Sequence, residues 1–181
     1  LDKTKTLSLL CLTGDWKNME LFFLPFLKGE MSVFDCGCGP GVLTCDIAGS
    51  ITNAEVLGID VTKNFDHVEE FYRADLGDKR TIEALVDALP SGIDGLVNNA
   101  GLPPTRPAEQ LLAVNLVGLK HLTHQLIPKL NDNASIVNIA SLAGHGWAQS
   151  VEAIKASDDM DFDNIAAFID RWKVSSEGGR S

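Results

Sequence analysis

Short apolar runs that stop at a glycine, a proline or an acid alternate along this chain with stretches whose apolar positions recur every three or four residues. The runs predict strands and the stretches predict helices. Residues 31–34 predict a first strand, Glu55–Asp60 a second, 69–74 a third, 93–97 a fourth and 134–140 a fifth. Helical spacing covers 15–27, where Trp16, Met19, Phe22, Phe23 and Phe26 supply a wide apolar face. It returns over 42–48, over 78–89 through Ile82, Leu85, Val86 and Leu89, and over a long stretch at 108–127. Asp78 is the expected N-cap of the 78–89 helix, and Pro90-Ser91-Gly92 its stop. After Ser141 the periodicity weakens. An acidic stretch with Asp158, Asp159, Asp161 and Asp163 overlaps one more amphipathic pattern over 162–172. Strands and helices in this alternation predict an α/β fold, with a parallel sheet of about five strands and helices on both faces.

With 181 residues the chain reads as one domain. Its expected parts are a helical segment over 1–30, a sheet core over 31–141 and an acidic, insertion-like tail over 142–181. The net charge of −10 argues against nucleic acid or an anionic membrane as a partner, since both reward a basic face. The longest apolar stretch, 21–27, is broken by Pro25 and is too short to span a bilayer. Residues 7–12 are too short for a convincing signal-peptide core. Cys11, Cys36, Cys38 and Cys45 read as reduced thiols of a cytoplasmic protein rather than as metal ligands, because no histidine lies near them. A start at Leu1 rather than Met reads as a fragment or a processed piece.

The chemistry begins at Asp35-Cys36-Gly37-Cys38-Gly39-Pro40-Gly41, directly after the first strand. Three alternate glycines let backbone approach a ligand with no Cβ in the way, and the next helix aims its free N–H groups there. That makes the domain Rossmann-like and doubly wound. Over about 15–62 the chain resembles the class I S-adenosylmethionine-dependent methyltransferases. The resemblance implies that Gly37, Gly39 and Gly41 cradle the cofactor and that Asp60 accepts hydrogen bonds from its ribose.

From about Asp60 onward the resemblance changes. Leu96-Val97-Asn98-Asn99-Ala100-Gly101, Ala74-Asp75-Leu76, Val114-Asn115-Leu116-Val117-Gly118 and Ile136-Val137-Asn138-Ile139-Ala140-Ser141 resemble four motifs of the short-chain dehydrogenases/reductases, in order. The 26-residue step from Asn115 to Ser141 suits that family. The loop after Gly101 and the acidic stretch look most like its hydroxysteroid and coniferyl-alcohol dehydrogenase branch. The resemblance implies hydride transfer between a nicotinamide and a small alcohol or ketone. Ser141 would orient the substrate oxygen, and Asn115 would hold a water in the proton relay. Asp75 and Leu76 would border the adenine, and Asn98, Ala100 and Gly101 the cofactor. Asp60 favours NAD over NADP, since a carboxylate repels a 2′-phosphate. Self-association through the family's helices is a further implication.

Two departures matter. Leu43 stands where the family's third glycine belongs, and the family's Tyr-x-x-x-Lys is absent: the one tyrosine is Tyr72, and Lys155 follows Val151 by four residues. The chain reads as ending short of its general acid, with two later strands missing and the fifth strand left as an exposed edge. Each residue also has a plainer role. Asn98 and Asn99 could close a strand end, Asn115 could bind a backbone carbonyl, and Ser141 could cap a helix. His121 and His124 read as structural, and His145 lies close enough to Ser141 to line a substrate side. Three functions stay open: a nicotinamide oxidoreductase of impaired turnover, an S-adenosylmethionine-dependent methyltransferase, and a non-catalytic nucleotide-binding fragment.

Overall fold

The computed structural model describes residues 5–11, 31–37, 55–60 and 70–175. The expected helices over 15–27 and 42–48, together with Gly39 and Gly41, lie outside those residues. The strands are β1 (Lys5–Cys11), β2 (Ser32–Cys36), β3 (Glu55–Asp60), β4 (Glu70–Arg73), β5 (Ile93–Asn98) and β6 (Leu130–Ser141). They form one sheet in the order β1-β6-β5-β2-β3-β4, and every pairing is parallel. Five strands match the sequence pattern.

The sixth strand is a correction. Lys5–Cys11 falls in the segment expected to be helical, yet it pairs with β6 from Lys5↔Ser135 to Cys11↔Ser141. β6 therefore does not end the sheet. Its backbone groups find a partner from the start of the chain, which an open edge of this length would otherwise seek from another molecule.

Central β2 is buried along both faces: Val33, Phe34, Asp35 and Cys36 are all inaccessible. An unbroken buried run is what a parallel strand covered on both sides requires. On one side Phe34, Leu96 and Ile136 meet two helices, α1 (Lys79–Ala88) through Ile82, Leu85 and Val86, and α3 (Leu119–Leu126) through Leu122 and Leu126. Asp78 caps α1 as expected, accepting from the Arg80 N–H at 2.9 Å.

The predicted 108–127 helix is present but not uniform. α2 (Ala108–Leu112) leads into a π-helical turn (Ala113–Gly118) before α3 follows. Gly118 sits at the end of that wider turn, where a Cβ would overlap the Leu76 carbonyl. A helix pressed this close to a neighbouring loop needs glycine at the contact.

After β6 come a 3₁₀ segment (Leu142–Ser150), α4 (Val151–Ala156), a 3₁₀ turn (Ser157–Asp159) and α5 (Ile165–Trp172). The acidic tail is docked rather than loose. Met160 and Ile165 pack with Val117, and Leu112, Leu116, Phe162 and Phe168 surround them. The Lys120 ammonium donates to the carbonyls of Ser157, Asp158 and Met160 at 3.3, 2.8 and 2.7 Å. No described helix is long and apolar enough to cross a membrane.

Candidate functional site

In a parallel sheet every strand ends at the same edge, and ligands of such sheets sit outside those carboxyl ends. Here that edge collects Gly37 after β2, Asp60 at the end of β3, Asp75 two residues past β4, Asn98 at the end of β5 and Ser141 at the end of β6. Register places Cys36 beside Asn98, and Asn98 beside Asn138.

The centre of the edge is built from backbone. Gly37 has φ +85°, and a Cβ there would run into the Ala100 backbone. The missing side chain lets β2 and the β5 loop touch. At Gly37 the space a Cβ would take is occupied by Ala100, so the glycine serves this contact. Two hydrogen bonds reinforce the contact. The Asn99 N–H donates to the Cys36 carbonyl at 2.8 Å, and its side-chain amide to the Gly37 carbonyl at 3.2 Å.

Asn98 is buried, with 4% exposure. Its amide donates to Asn138 Oδ1 at 2.8 Å and to Thr123 Oγ1 at 3.0 Å, tying β5 to β6 and α3. Sequence reasoning singled out neither Thr123 nor Asn138 as a site residue. The available signal was a polar residue in the middle of an apolar strand motif, which demands a partner once buried.

Asn115 lies in the π-helical turn and is exposed. Its Oδ1 accepts from the Leu102 N–H at 2.7 Å, and its amide donates to the Leu102 carbonyl at 3.0 Å. Both ends of the side chain are thus spent on the loop that follows Gly101. The wider helical turn aims Asn115 at that loop, in keeping with the frequent use of π-bulges at functional sites. Asp75 accepts from the Gly77 N–H at 2.8 Å and closes its own turn, while Leu76 is buried in the core. Ser141 is exposed at the strand end.

The other candidates pack on the core, form ion pairs or are exposed. Tyr72 is half-buried on β4 and packs against the core. Lys155 is exposed and 3.3 Å from Glu152. His121 stands 3.7 Å from Glu83 and edge-on to Phe162, and His124 and His145 are exposed. Cys36 is a buried thiol, and the described residues hold no cluster able to bind a metal. The carboxyl of Asp78 is held below the usual carboxylate range by its hydrogen bonds from the Arg80 side chain and N–H.

The short chain dehydrogenase family model matches residues 48–157. Its match starts after the glycine run at 35–41. Coniferyl-alcohol dehydrogenase of Pseudomonas sp. strain HR199 is 34% identical over 102 residues, covering 56% of this chain and 40% of that protein. Short chain dehydrogenase andC of Emericella variicolor is 35% identical over 146 residues, covering 69% of this chain and 58% of that one. The chain thus spans about half the length of these relatives. Among solved structures, a short chain dehydrogenase family protein from Francisella tularensis superposes with TM-score 0.53 at 18% identity, covering 83% of this chain and 78% of its own. Thermoplasma acidophilum aldohexose dehydrogenase superposes with TM-score 0.54 at 21% identity, covering 62% and 49%. These two likenesses concern the fold. With more than half of its residues matched and its motifs gathered at one edge of a parallel sheet, the chain belongs to the short-chain dehydrogenase family.

Proposed function

We propose that the carboxyl edge binds a nicotinamide dinucleotide, NAD in preference to NADP, beside a small alcohol or ketone, and that turnover is weak. The observation that carries this reading is the gathering of Gly37, Asn98–Gly101, Asn115 and Ser141, from four separate stretches of chain, at one edge of the sheet. The described residues fit such a cofactor: the edge is lined by backbone and small residues at Gly37, Ala100 and Gly101, with Ala100 half-buried and Gly101 exposed. Asp60 would receive the ribose diol, Asp75 and Leu76 the adenine, and Gly37, Gly39, Gly41, Asn98, Ala100 and Gly101 the remainder.

When bound, the nicotinamide ring supplies the carbon that gives or takes hydride. The rest falls to the chain. The Ser141 hydroxyl donates to the substrate oxygen and orients it. Asn115 acts as a positioning residue by holding the loop after Gly101 through Leu102. Among the described residues no tyrosine and lysine pair accompanies them: Tyr72 packs on the core and Lys155 pairs with Glu152. Loss of a general acid lowers rate by about 10²–10⁴.

A second reading has one specific support. The glycine run at 35–41 precedes the family match and resembles that of S-adenosylmethionine-dependent methyltransferases. Thermal shifts with NADH, NADPH, S-adenosylmethionine and S-adenosylhomocysteine separate the two. A ligand at 100 times its Kd stabilises by about 2.7 kcal/mol. The expected order is NADH above NADPH, with no shift from the methionine pair. A shift from that pair alone overturns the proposal, and no shift at all supports a non-catalytic fragment.

A further inference from the structure

Resting on the reading of Asn115 as a positioning residue, we propose that the acidic tail is its support and Lys120 the latch. Docked, the tail holds the π-helical turn in the shape that aims Asn115 at the loop after Gly101. A turn this wide is rare in helices. Here each of its six residues is engaged by something outside it. Val114 packs on the main core, and Gly118 lies against the Leu76 carbonyl. Asn115 holds Leu102 by both polar ends. The remaining three, Ala113, Leu116 and Val117, share an apolar cluster with Met160, Ile165, Phe168 and Ile169 of the tail. Half of the turn's residues thus lean on the tail, on both sides of Asn115 in the chain.

The grip on the tail comes from the first turn of α3, directly after the wide one. Lys120, two residues past Gly118, donates to the carbonyls of Ser157, Asp158 and Met160. An ammonium has three donors, and all are used there. Beside it His121 meets Phe162 edge-on, with ring centres 5.9 Å apart. Hydrogen bonds from a charged donor are stronger than neutral ones. Here they work against the repulsion that four aspartates between 158 and 163 bring to a chain of net charge −10. Removing the ammonium therefore loosens the tail, and a loosened tail leaves Ala113, Leu116 and Val117 without their apolar cover. The wide turn then loses its support on that side, and Asn115 loses its aim. A contact at 157–169 is in this way felt at the carboxyl edge of the sheet.

The test reads the Leu102 amide, whose hydrogen bond to Asn115 Oδ1 reports that aim directly. Native-state amide exchange is followed by NMR on the full chain without ligand, as wild type, Lys120→Ala, Lys120→Arg and Asn115→Ala. Asn115→Ala sets the scale of full loss. In Lys120→Ala the Leu102 amide is expected to exchange about tenfold faster, together with the Phe168 amide of α5. The Asn99 amide, bonded to the Cys36 carbonyl at the same edge, keeps its wild-type rate. Lys120→Arg keeps a cation with several donors and retains most of the Leu102 protection. Met160→Ala trims the apolar side of the same contact; it is expected to act in the same direction, and it serves where Lys120→Ala does not fold. A faster Phe168 amide with an unchanged Leu102 amide overturns the proposal, since the tail then loosens without moving Asn115. So do unchanged rates at both, which deny Lys120 its hold. An equal rise at Leu102 and Asn99 also overturns it, as a loss of global stability alone. The measurement uses no cofactor, so a missing NADH shift overturns the cofactor reading and leaves this one standing.

Discussion

The two ends of the sheet solve one problem in different ways. At each end a glycine with positive φ has its carbonyl held by an asparagine amide: Gly37 by Asn99 at 3.2 Å on the carboxyl edge, Gly92 by Asn131 at 3.0 Å on the amino edge. The local chemistry is the same and the surroundings are not. A Cβ on Gly92 would meet only Asn131 Oδ1 at 3.8 Å, whereas one on Gly37 would collide with the Ala100 backbone. The amino edge is a set of turn closures. Asn131 also donates to Asp94, Asp94 accepts from the Ser32 N–H at 3.0 Å, and Lys129 donates to the Val86 and Leu89 carbonyls. The carboxyl edge brings strands and loops from distant parts of the chain into backbone contact. Similar residues thus carry a turn in one place and the frame of a site in the other.

The sharpest way to break this comparison is a pair of substitutions. Gly37→Ala combines left-handed strain with a backbone overlap and is expected to destabilise by about 3–5 kcal/mol. Gly92→Ala carries the strain alone, about 1–2 kcal/mol. Urea titrations of both variants check this, and equal losses would remove the distinction between the edges.

Next in size is Asn98→Ala. It leaves the half-buried Asn138 and Thr123 without this partner and is expected to cost about 1–3 kcal/mol. Asn131→Ala, whose bonds are solvent-exposed, stays within about 1 kcal/mol. A smaller effect, about 1–2 kcal/mol, is expected for Lys129→Met, which leaves the last carbonyls of α1 without their ammonium. Amide exchange should show the loss concentrated in 86–92.

The smallest contribution belongs to the other end of α1. The Asp78 carboxyl is held below its ordinary range by the Arg80 side chain and N–H. A depressed pKa in the folded state gives a contribution that is complete above the unfolded value, about 4, and disappears as pH falls through the folded one. Melting temperatures of wild type and Asp78→Asn are therefore expected to differ slightly near neutrality and converge in acid.

Much of this was legible along the chain. Five of the six strands, the Asp78 cap and the final amphipathic helix follow from short-range periodicity and capping chemistry, which need no knowledge of neighbours. β1 was not legible. Lys5–Cys11 reads as part of a helical segment, and it is a strand through its parallel pairing with β6, which lies far away along the chain. The site residues were legible as types and in order, but their partners were not. Nothing local says that Asn98 spans to Thr123, or that Asn115 spends both its polar atoms on Leu102.

By itself the sequence determined the alternation of strands and helices, the family motifs and the lack of a Tyr-x-x-x-Lys pair, because each resides in residues near one another in the chain. Tertiary structure alone decided the sixth strand, the docking of the acidic tail on Lys120, and the closure of Gly37 against Ala100. All three depend on which distant backbone happens to lie within reach, and that is set by packing rather than by composition.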